Sequence, residues 1–410
     1  MFSRRDFLRA GLHSSTLAAL APTIPAFLAD SARAAPAQRD GRILIVIQLS
    51  GGNDGINTVV PFADEGYAKY RNALRLPKDD LLKISNEFGL HPSMRDAARL
   101  LEDGRLAVVH GVGYPNPSRS HFKSMAIWQS ANAKLSRGDV PDAESKAVLG
   151  WIGQALDGGR KPADGSPGAV YIGTEALPVA LRGRRSAASV MNRLEDSILA
   201  LKADAKSTLA GLGSGQDLAA FVMRSTLDAY STSDRMAEVI RARDRDARYP
   251  ATGLAGRLKT IARLIKGGVG TRIFYTSQST YDTHYVQLSL HADLLGELSG
   301  ALRAFLDDLS AAKLADRVLV FCFSEFGRRV QENGSQGTDH GTAGPVFLAG
   351  PKVQAGLLGE APKLLDLKDG DLKMTVDFRR VYASVLRDWL NLPSQIALGG
   401  DFEPFPLLRR

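Results

Sequence analysis

The stretch ILIVIQLSGGNDG, residues 43–55, decides the fold of this chain. Its first seven residues are apolar at almost every position, whereas a strand with one wet face would alternate. Continuous apolar strands of this kind are covered on both faces and occur mainly in parallel sheets. The small and polar residues from Ser50 onward end the strand. The stretch therefore predicts a buried parallel strand whose carboxyl end opens into a glycine-rich, polar turn.

Further apolar runs predict more strands of the same sheet. They span residues 106–110, 169–172, 272–276, 318–323 and 345–349. Amphipathic segments lie between the strands at 92–102, 286–309 and 378–390, with Pro92 expected at the first helical position and Asp377 as a helix cap. This alternation predicts an α/β fold with three α/β/α layers and a mainly parallel sheet.

Other parts of the chain carry weaker patterns. Residues 185–250 are polar and helical in pattern without a strand signal, so we expect a helical insertion or lid there. Residues 131–146 and 158–168 are expected to be loops. The single cysteine, Cys322, falls inside the apolar run 318–323 and is expected to be a buried strand residue.

Composition limits the classes of function. The chain has 410 residues, of which 44% are hydrophobic and 23% charged, which excludes a disordered, collagenous or coiled-coil protein. The formal net charge is +8, but the positive residues are scattered, without a basic run or an aromatic ladder. We therefore expect no nucleic-acid partner, and the charge suits solubility or an anionic substrate.

Residues 1–34 have the pattern of an export signal. Its parts are, in order, Arg4-Arg5, Phe7-Leu8, the uncharged residues 10–29 and the processing pattern Ala32-Arg33-Ala34. This order resembles a twin-arginine signal peptide, which implies the twin-arginine translocation machinery as a partner and a periplasmic or secreted destination. Polar residues and prolines in the uncharged stretch argue against a permanent membrane span. The alternative is an ordinary basic, amphipathic helix. We expect one domain at 41–410.

Polar residues directly after predicted strands are candidate ligands, because ligands bind beyond the carboxyl ends of parallel strands. These positions hold carboxylates and imidazoles: Asp54, Asp282, His284, Glu325, Asp339 and His340. Mixed ligands of this kind suit Zn²⁺ or Mn²⁺, and with more oxygen donors Mg²⁺ or Ca²⁺. The pattern indicates a divalent metal centre that activates a nucleophile for hydrolysis.

Several of these residues also have a structural interpretation. The turn at Asp54 can be stabilised by its own side chain without any ligand. Glu325 is costly to bury alone, and Arg328 or Arg329 could pair with it instead of a metal. Asp339 could serve only to orient His340.

Three other histidines are not candidate ligands. His291, at the start of a helix, is expected to be a cap or surface residue. His91 and His110 have no acidic neighbour in the sequence and are expected to be structural.

Several motifs in a fixed order resemble a bacterial family named domain of unknown function 1501. They are ILIVIQLSGGNDGINTVVP at 43–61, SRSHF at 118–122, YDTH at 281–284, SEFGR at 324–328 and GTDHG at 337–341. The resemblance covers essentially the whole chain after the signal. The family is similar to the alkaline phosphatase and sulfatase superfamily, which implies an alkaline phosphatase-like fold with metal at the strand ends. The family's own activity is not established.

The superfamily pattern implies roles for individual residues. It makes Asp54 the first ligand, Asp282 with His284 the second group, and His340 the last. Where the superfamily has an Asp-His pair, this chain has Glu325-Phe326. The carboxylate is kept and the imidazole is lost, which implies that one of two metals is weakened or missing.

Ser120 is the candidate nucleophile, because the superfamily places its nucleophile at a helix N-terminus, where backbone N–H groups favour an anion. The neighbouring Pro117-Ser118-Arg119 is similar to the sulfatase signature, but Pro115 stands where that signature needs Cys or Ser. A formylglycine sulfatase is therefore not expected. The alternative for Ser120 is helix capping, with His121 packed beneath it. Three arginines could bind an anion or be solvated: Arg119, Arg328 and Arg329.

Two classes of function remain open. The first is an exported metal-dependent hydrolase that acts on a small anionic ester, a phosphate or a sulfate. The second is a non-catalytic envelope or secretion protein, or a protein that binds a surface polymer, with the same fold.

Overall fold

A computed structural model describes residues 41–137, 148–159, 166–186, 188–191 and 248–409. The predicted signal peptide at 1–34 and most of the predicted insertion at 185–250 lie outside the described residues.

The described chain alternates strands and helices. The strands are β1 (Ile43–Leu49), β2 (Val59–Val60), β3 (Leu82–Lys83), β4 (Gly89–Leu90), β5 (Leu106–Gly113), β6 (Ala169–Ile172), β7 (Ala188–Met191), β8 (Ile273–Gln278), β9 (Val318–Phe323), β10 (Arg328–Glu332), β11 (Thr338–His340), β12 (Gly344–Ala349), β13 (Gly356–Leu358) and β14 (Val376–Asp377). The α-helices are α1 (Gly55–Thr58), α2 (Glu65–Tyr70), α3 (Arg95–Glu102), α4 (His121–Ser130), α5 (Trp151–Asp157), α6 (Gly253–Lys266), α7 (Gln287–Ala311), α8 (Phe378–Ala383) and α9 (Gln395–Leu398).

A nine-stranded sheet forms the middle layer, in the order β13-β5-β12-β9-β1-β8-β6-β7, with β14 paired beside β5. Among these strands only β12 runs antiparallel to its neighbours. β1 lies between β9 and β8 and is parallel to both, with Ile45 opposite Val320 and Phe274. The carboxyl ends of β1, β8 and β9 therefore meet at one edge of the sheet. Two small sheets, β2-β4-β3 and β10-β11, complete the strand pairing.

Both faces of the sheet are buried, which explains the continuous apolar pattern of β1. Ile45 and Ile47 pack into one hydrophobic core together with apolar residues of α3, α6 and α7. Leu44 and Val46 pack into a second core on the opposite face, with residues of α4, α5 and α8. The protein is thus a mixed α/β fold with a large, mainly parallel central sheet, as predicted.

Most of the predicted elements are confirmed with small shifts in their ends. The predicted strands at 43–49, 169–172 and 318–323 match β1, β6 and β9 residue for residue. Cys322 is fully buried in β9, as expected. Asp377 caps α8 by accepting a hydrogen bond from the Arg379 backbone N–H at 2.9 Å. The chain continues from α8 into one π-helical segment, Ser384–Trp389.

Two predictions about the elements are wrong. Helix α3 begins at Arg95 rather than at Pro92, because residues 92–94 form a turn in which Met94 N–H bonds to His91 O. The region 185–250 does contain a strand, β7, which pairs in parallel with β6. This strand is only four residues long and includes a serine, so it lacks the continuous apolar run by which the other strands are detected.

Within the described residues, no helix combines the length and the apolarity that crossing a membrane requires.

Candidate metal centre

Asp282, four residues after the end of β8, is surrounded by nitrogen atoms. Its Oδ1 lies 2.6 Å from Arg328 Nη2, 3.1 Å from His284 Nε2, 3.1 Å from His340 Nε2 and 3.4 Å from His121 Nε2. The Nε2 atoms of His284 and His340 are only 2.9 Å apart. We refer to Asp282, His121, His284 and His340 as the Asp282 cluster.

The Nδ1 atom of each cluster histidine faces an oxygen outside the cluster. His121 Nδ1 lies 2.8 Å from a carboxylate oxygen of Glu325, and His340 Nδ1 lies 2.7 Å from the backbone oxygen of Arg119. His284 Nδ1 lies 3.4 Å from Asp339 Oδ1. Carboxylate and carbonyl oxygens only accept hydrogen bonds, so Nδ1 of His121 and of His340 carries the proton. In the neutral ring, Nε2 then presents its lone pair toward Asp282, whereas in the protonated ring of His340 it donates a hydrogen bond to Asp282.

These residues fit a divalent cation. Metal-binding histidines usually donate their second ring N–H to a carboxylate or a backbone carbonyl, as His121 and His340 do here. Ligand atoms of His121, Asp282 and His340 all lie within 4.8 Å of one another. His121 Nε2 is buried and has no hydrogen-bond partner among the described residues. A cation among the Nε2 atoms would give each lone pair a partner.

The charges around Asp282 keep its carboxylate ionised. Burial alone would raise the pKa of Asp282, but the hydrogen bonds from Arg328 and His340 outweigh burial and lower the pKa to about 2. Its hydrogen bond to Glu325 raises the pKa of His121 against the effect of burial. Burial lowers the pKa of His340, although its bonds to Arg119 and Asp282 oppose this. The cluster therefore offers an anionic ligand beside imidazoles that must be neutral to bind metal.

Arg328, the first residue of β10, holds the loops of the site together. Its side chain is completely buried, and it donates to the backbone oxygens of Gly52 at 2.7 Å, Thr338 at 2.8 Å and Tyr281 at 3.0 Å, in addition to Asp282. The loops after β1 and β8 and the strand β11 are thereby tied to one guanidinium. Arg328 thus has its hydrogen-bonding capacity filled by the protein and is not a free anion-binding residue.

Glu325 follows β9 and is buried, but it contacts neither Arg328 nor Arg329 through an ion pair. Its Oε1 accepts from the Gly51 backbone N–H at 2.9 Å and from His121 Nδ1 at 2.8 Å, and its Oε2 accepts from the Ser324 hydroxyl at 3.0 Å. The carboxylate therefore lies behind His121 and orients that ring.

Phe326 stands where the superfamily pattern has a histidine. Its ring centroid lies 4.8 Å from those of His121 and His340, whose own centroids are 4.2 Å apart. The phenyl ring thus packs against both imidazoles and fixes their planes by contact.

Asp54 lies in a separate, buried ion pair. Arg71 donates to both carboxylate oxygens, with Nη2 3.0 Å from Oδ1, and the Ile56 backbone N–H donates to Oδ1 at the start of α1. Burial raises the pKa of Asp54, but Arg71 outweighs it, so the pKa falls to about 2. Arg71 also donates to the backbone oxygens of Val330 and Arg329. Asp54 therefore matches the structural interpretation, as a turn and cap residue with a cationic partner.

Gln287, the first residue of α7, connects Asp54 to the segments that carry the cluster. Its Nε2 donates to Asp54 Oδ2 across 2.6 Å. Its Oε1 accepts from the hydroxyls of Thr283 at 2.9 Å and Thr338 at 2.6 Å. The backbone N–H of Thr338 also bonds to Thr283 O at 3.1 Å. The buried side-chain amide of Gln287 thus fixes the spacing between the segment that contains Thr283 and the segment that contains Thr338.

Ser120 occupies the N-cap position of α4, but its hydroxyl makes no capping hydrogen bond. The residue is exposed and directly precedes His121. The alternative of helix capping is therefore not supported. Arg119 and Arg329 both pair with the buried Asp371, with Arg119 Nε 2.9 Å from Asp371 Oδ2 and Arg329 Nε 3.6 Å from Oδ1.

His121 is a further candidate ligand that the pattern of strand ends does not indicate. It belongs to the motif SRSHF, but it reaches the site from the first turn of α4 rather than from the end of a strand.

The three histidines that were not candidate ligands, His91, His110 and His291, are all buried. His291 is buried rather than a cap or surface residue: its Nε2 lies 2.9 Å from Asn53 Oδ1, beneath the turn after β1. His91 and His110 are buried, as expected of structural residues.

Residues 42–395 match the model of a protein family described as Protein of unknown function (DUF1501). No match is found among curated proteins.

Several solved structures are similar to this chain. One is a protein in the alkaline phosphatase superfamily from Vibrio parahaemolyticus, with 10% identity and a TM-score of 0.39 over 88% of this chain and 69% of that one. The PsFucS1 sulfatase from Pseudoalteromonas sp. has 10% identity and a TM-score of 0.39 over 93% and 76%. The phosphonate monoester hydrolase SpPMH from Silicibacter pomeroyi has 9% identity and a TM-score of 0.40 over 88% and 75%.

Proposed function

This chain belongs to the family described as Protein of unknown function (DUF1501), and from that premise and the geometry of its site we propose that it is an exported, metal-dependent hydrolase of phosphate or sulfate esters. The family predicted from the motifs is confirmed. The activity is our proposal, because the family description names none.

One observation carries the proposal. Three imidazole Nε2 atoms lie within 3.4 Å of one carboxylate oxygen, and each ring presents its Nδ1 to an oxygen outside the cluster. This arrangement supports a cation held by Asp282, His121, His284 and His340, with Glu325 and Asp339 behind two of the histidines. A set of three imidazoles and one carboxylate suits Zn²⁺ or Mn²⁺ better than Mg²⁺ or Ca²⁺.

When bound, such a cation polarises a phosphoryl or sulfuryl oxygen and neutralises charge that develops on it. The side chains of Asp282 and the cluster histidines are between one fifth and one half exposed, so an ester can approach from solvent. Phe326 and Arg328 are both buried and pack directly against the cluster.

Ser120 is the nucleophile in this proposal, because its hydroxyl makes no capping hydrogen bond and the residue is exposed and directly precedes His121. Its oxygen would attack phosphorus or sulfur while the ester oxygen leaves, and the hydroxyl proton would pass to the departing alcohol. Water would then hydrolyse the Ser120 ester and restore the hydroxyl. The backbone N–H groups at the start of α4 favour the anionic group during both steps.

Export is supported by the order of elements in residues 1–34. We propose that the chain reaches the periplasm or the exterior through the twin-arginine machinery after folding. Loading of the cation in the cytoplasm would explain the choice of this route.

A second function is favoured by the contact between Arg328 and Asp282. This guanidinium already supplies a cationic partner at 2.6 Å, so the cluster could persist without metal as an ion-pair network. The protein would then be a non-catalytic envelope or secretion protein, or would bind a surface polymer.

Metal analysis of the protein separates these two functions. The purified chain, exported through its own pathway, should contain a divalent ion by mass spectrometry, and His340→Ala should lose it. His110→Gln, at a buried histidine outside the cluster, is the matched control and should keep the ion. A screen of phosphate and sulfate esters should then find hydrolysis that Ser120→Ala abolishes.

Two results would contradict the hydrolase proposal. One is a folded wild-type protein that binds no Zn²⁺ or Mn²⁺ even at millimolar concentration. The other is a metal-bearing protein whose hydrolysis of every ester is equal in wild type and in His340→Ala.

A further inference from the structure

The loop after β1 comes so close to the metal site that two of its positions have no room for a side chain. A Cβ built on Gly51 would lie 2.4 Å from the backbone nitrogen of Asp282 and 2.7 Å from the carbonyl carbon of Tyr281. A Cβ built on Gly52 would lie 2.4 Å from Cε2 of the Phe326 ring. Non-bonded carbon atoms pack at about 3.5–4.0 Å from one another. Any larger residue at either position therefore has to displace its neighbour.

Both glycines also have a backbone conformation that favours glycine. The φ angle of Gly51 is 120° and that of Gly52 is 79°. Glycine adopts positive φ without the steric cost that a Cβ imposes on other residues. The turn and the close approach are therefore two separate reasons for glycine at these positions, and only the close approach concerns the Asp282 cluster.

The same two residues bond through their backbone to the groups that support the cluster. The Gly51 N–H donates to Glu325 Oε1 at 2.9 Å, and the same oxygen lies 2.8 Å from His121 Nδ1. Arg328 donates to the backbone oxygens of Gly51 and Gly52, the second at 2.7 Å. A shift of this loop would therefore disturb both the carboxylate that faces one imidazole and the guanidinium that bonds to the cluster carboxylate.

We propose that Gly51 and Gly52 are positioning residues of the metal site. Because they lack side chains, the backbone of Asp282 and the ring of Phe326 come close enough for the carboxylate and the imidazoles of the cluster to converge. This inference rests on the proposed function, since it assumes that the cluster binds a cation. It goes beyond that function by assigning a role in metal binding to a segment that supplies no ligand in the proposed site.

Two pairs of alanine variants separate the close approach from the backbone conformation. Gly356, with φ 119°, matches Gly51, and Gly268, with φ 72°, matches Gly52. A Cβ built on either control glycine would meet no atom of the described residues within 4 Å. Gly51→Ala and Gly356→Ala therefore share the strain of alanine at positive φ, but only Gly51→Ala collides with the backbone of Asp282. Gly52→Ala and Gly268→Ala form the second pair.

Competition titration with a chromogenic chelator measures the Zn²⁺ affinity of the four variants without requiring catalysis. We expect Gly51→Ala and Gly52→Ala to bind Zn²⁺ about tenfold or more weakly than wild type, the usual effect of disturbing a group that orients a ligand. Gly356→Ala and Gly268→Ala should bind Zn²⁺ as the wild type does. The absorption spectrum of the Co²⁺-substituted protein should change only in the first two variants, because only there the ligand geometry changes. Urea unfolding with a chelator present shows which variants fold.

The outcomes distinguish this inference from the proposed function. Wild-type affinity in Gly51→Ala and Gly52→Ala, or an equal loss in these variants and in their controls, overturns the positioning role and leaves the metal site intact. A wild-type protein that binds neither Zn²⁺ nor Co²⁺ overturns the proposed function and this inference with it.

Failure to fold also has a defined meaning. If Gly51→Ala alone does not fold, Gly52→Ala decides, because the ring of Phe326 can turn without a shift of the backbone. If neither of these variants folds while both controls fold, the fold itself requires the two glycines and the positioning role is wrong.

Discussion

The Nδ1 atom of His121 lies 2.8 Å from Oε1 of Glu325, across 204 positions of the chain. This contact joins the N-terminus of α4 to the carboxyl end of β9. It determines which ring nitrogen of His121 faces Asp282. In the proposed metal site, we therefore expect Glu325 to orient His121 rather than to bind the cation itself.

We predict that Glu325→Gln weakens Zn²⁺ binding by about 10–100-fold, the usual effect of losing a hydrogen-bond partner behind a metal-bound histidine. The amide oxygen can still accept from Gly51 N–H and His121, but it carries no negative charge, so its bond to His121 is weaker, and the amide NH₂ replaces the oxygen that accepts from the Ser324 hydroxyl. Competition titration with a chromogenic chelator measures the affinity. Glu332→Gln is the control, because Glu332 also accepts two backbone N–H bonds, from Ala73 and Leu74, away from the histidines. Equal affinities in both variants and wild type would refute the positioning role.

We predict a similar loss, about 10-fold or more, for Gln287→Met, which keeps the volume of the side chain but removes its bonds to Asp54, Thr283 and Thr338. The segments that carry the cluster would then lose their common anchor. The absorption spectrum of the Co²⁺-substituted protein should change, because the ligand geometry changes.

Gln129→Met is the matched control for Gln287→Met. Gln129 lies at the opposite end of α4 from His121, is also buried, and bonds to Gln48 and to the Val179 N–H rather than to the segments that carry Asp282, His284 and His340. If both variants lose metal affinity equally, general destabilisation is the cause and the specific role of Gln287 is wrong.

The sequence predicts the fold well because the information is local. Each strand buried on both faces is a continuous apolar run, and parallel strands bring their carboxyl ends to one edge. This is why Asp282 and His284 could be placed at the site from their position after a predicted strand, whereas His340 lies at the end of β11, a short strand without an apolar run. The four-residue β7 escapes detection because an edge strand needs no such run.

The rest of the site depends on contacts between distant residues. Nothing near Asp54 in the sequence indicates that Arg71 will pair with it. Arg71 comes after α2, and only the folded chain brings the two side chains together. His121 is equally hidden, because its contribution depends on where the N-terminus of α4 lies relative to β9. A metal ligand and a residue that only orients a ligand can both follow the end of a strand. The position of Glu325 in the sequence therefore does not show which of the two it is.

Acid should destabilise the protein below neutral pH. Burial lowers the pKa of His110 and of His291 to about 4, whereas in the unfolded chain both have the ordinary value near 6.5. Between these values the unfolded state binds more protons, so the free energy of unfolding falls as the pH falls, by up to about 3 kcal/mol for each histidine. The raised pKa of His121 has the opposite effect, because it makes the free energy of unfolding rise as the pH falls. This is the effect of one histidine against that of several.

Urea unfolding at pH 7.5, 6 and 5 with a chelator present measures this dependence. We expect the midpoint to fall with pH, and we expect a shallower fall in His110→Leu, because one group that takes up a proton on unfolding is gone. A midpoint that stays constant or rises toward pH 5 would show that these histidines are not neutral in the folded protein.

Asp54→Asn tests whether the first predicted ligand is a ligand at all. The substitution leaves the buried guanidinium of Arg71 without its counter-charge, and breaking a buried pair in this way costs about 3–5 kcal/mol. The number of bound ions per chain at saturating Zn²⁺ should stay the same, because Asp54 lies outside the Asp282 cluster. Asp377→Asn is a close control, since Asp377 is also a helix cap with an arginine partner, but its pair with Arg379 is partly exposed and should cost only about 1 kcal/mol. Urea unfolding and metal analysis on the same samples decide the matter: normal stability with a lost ion would restore Asp54 as a ligand, whereas lost stability with the ion retained means that Arg71 is the cation of Asp54.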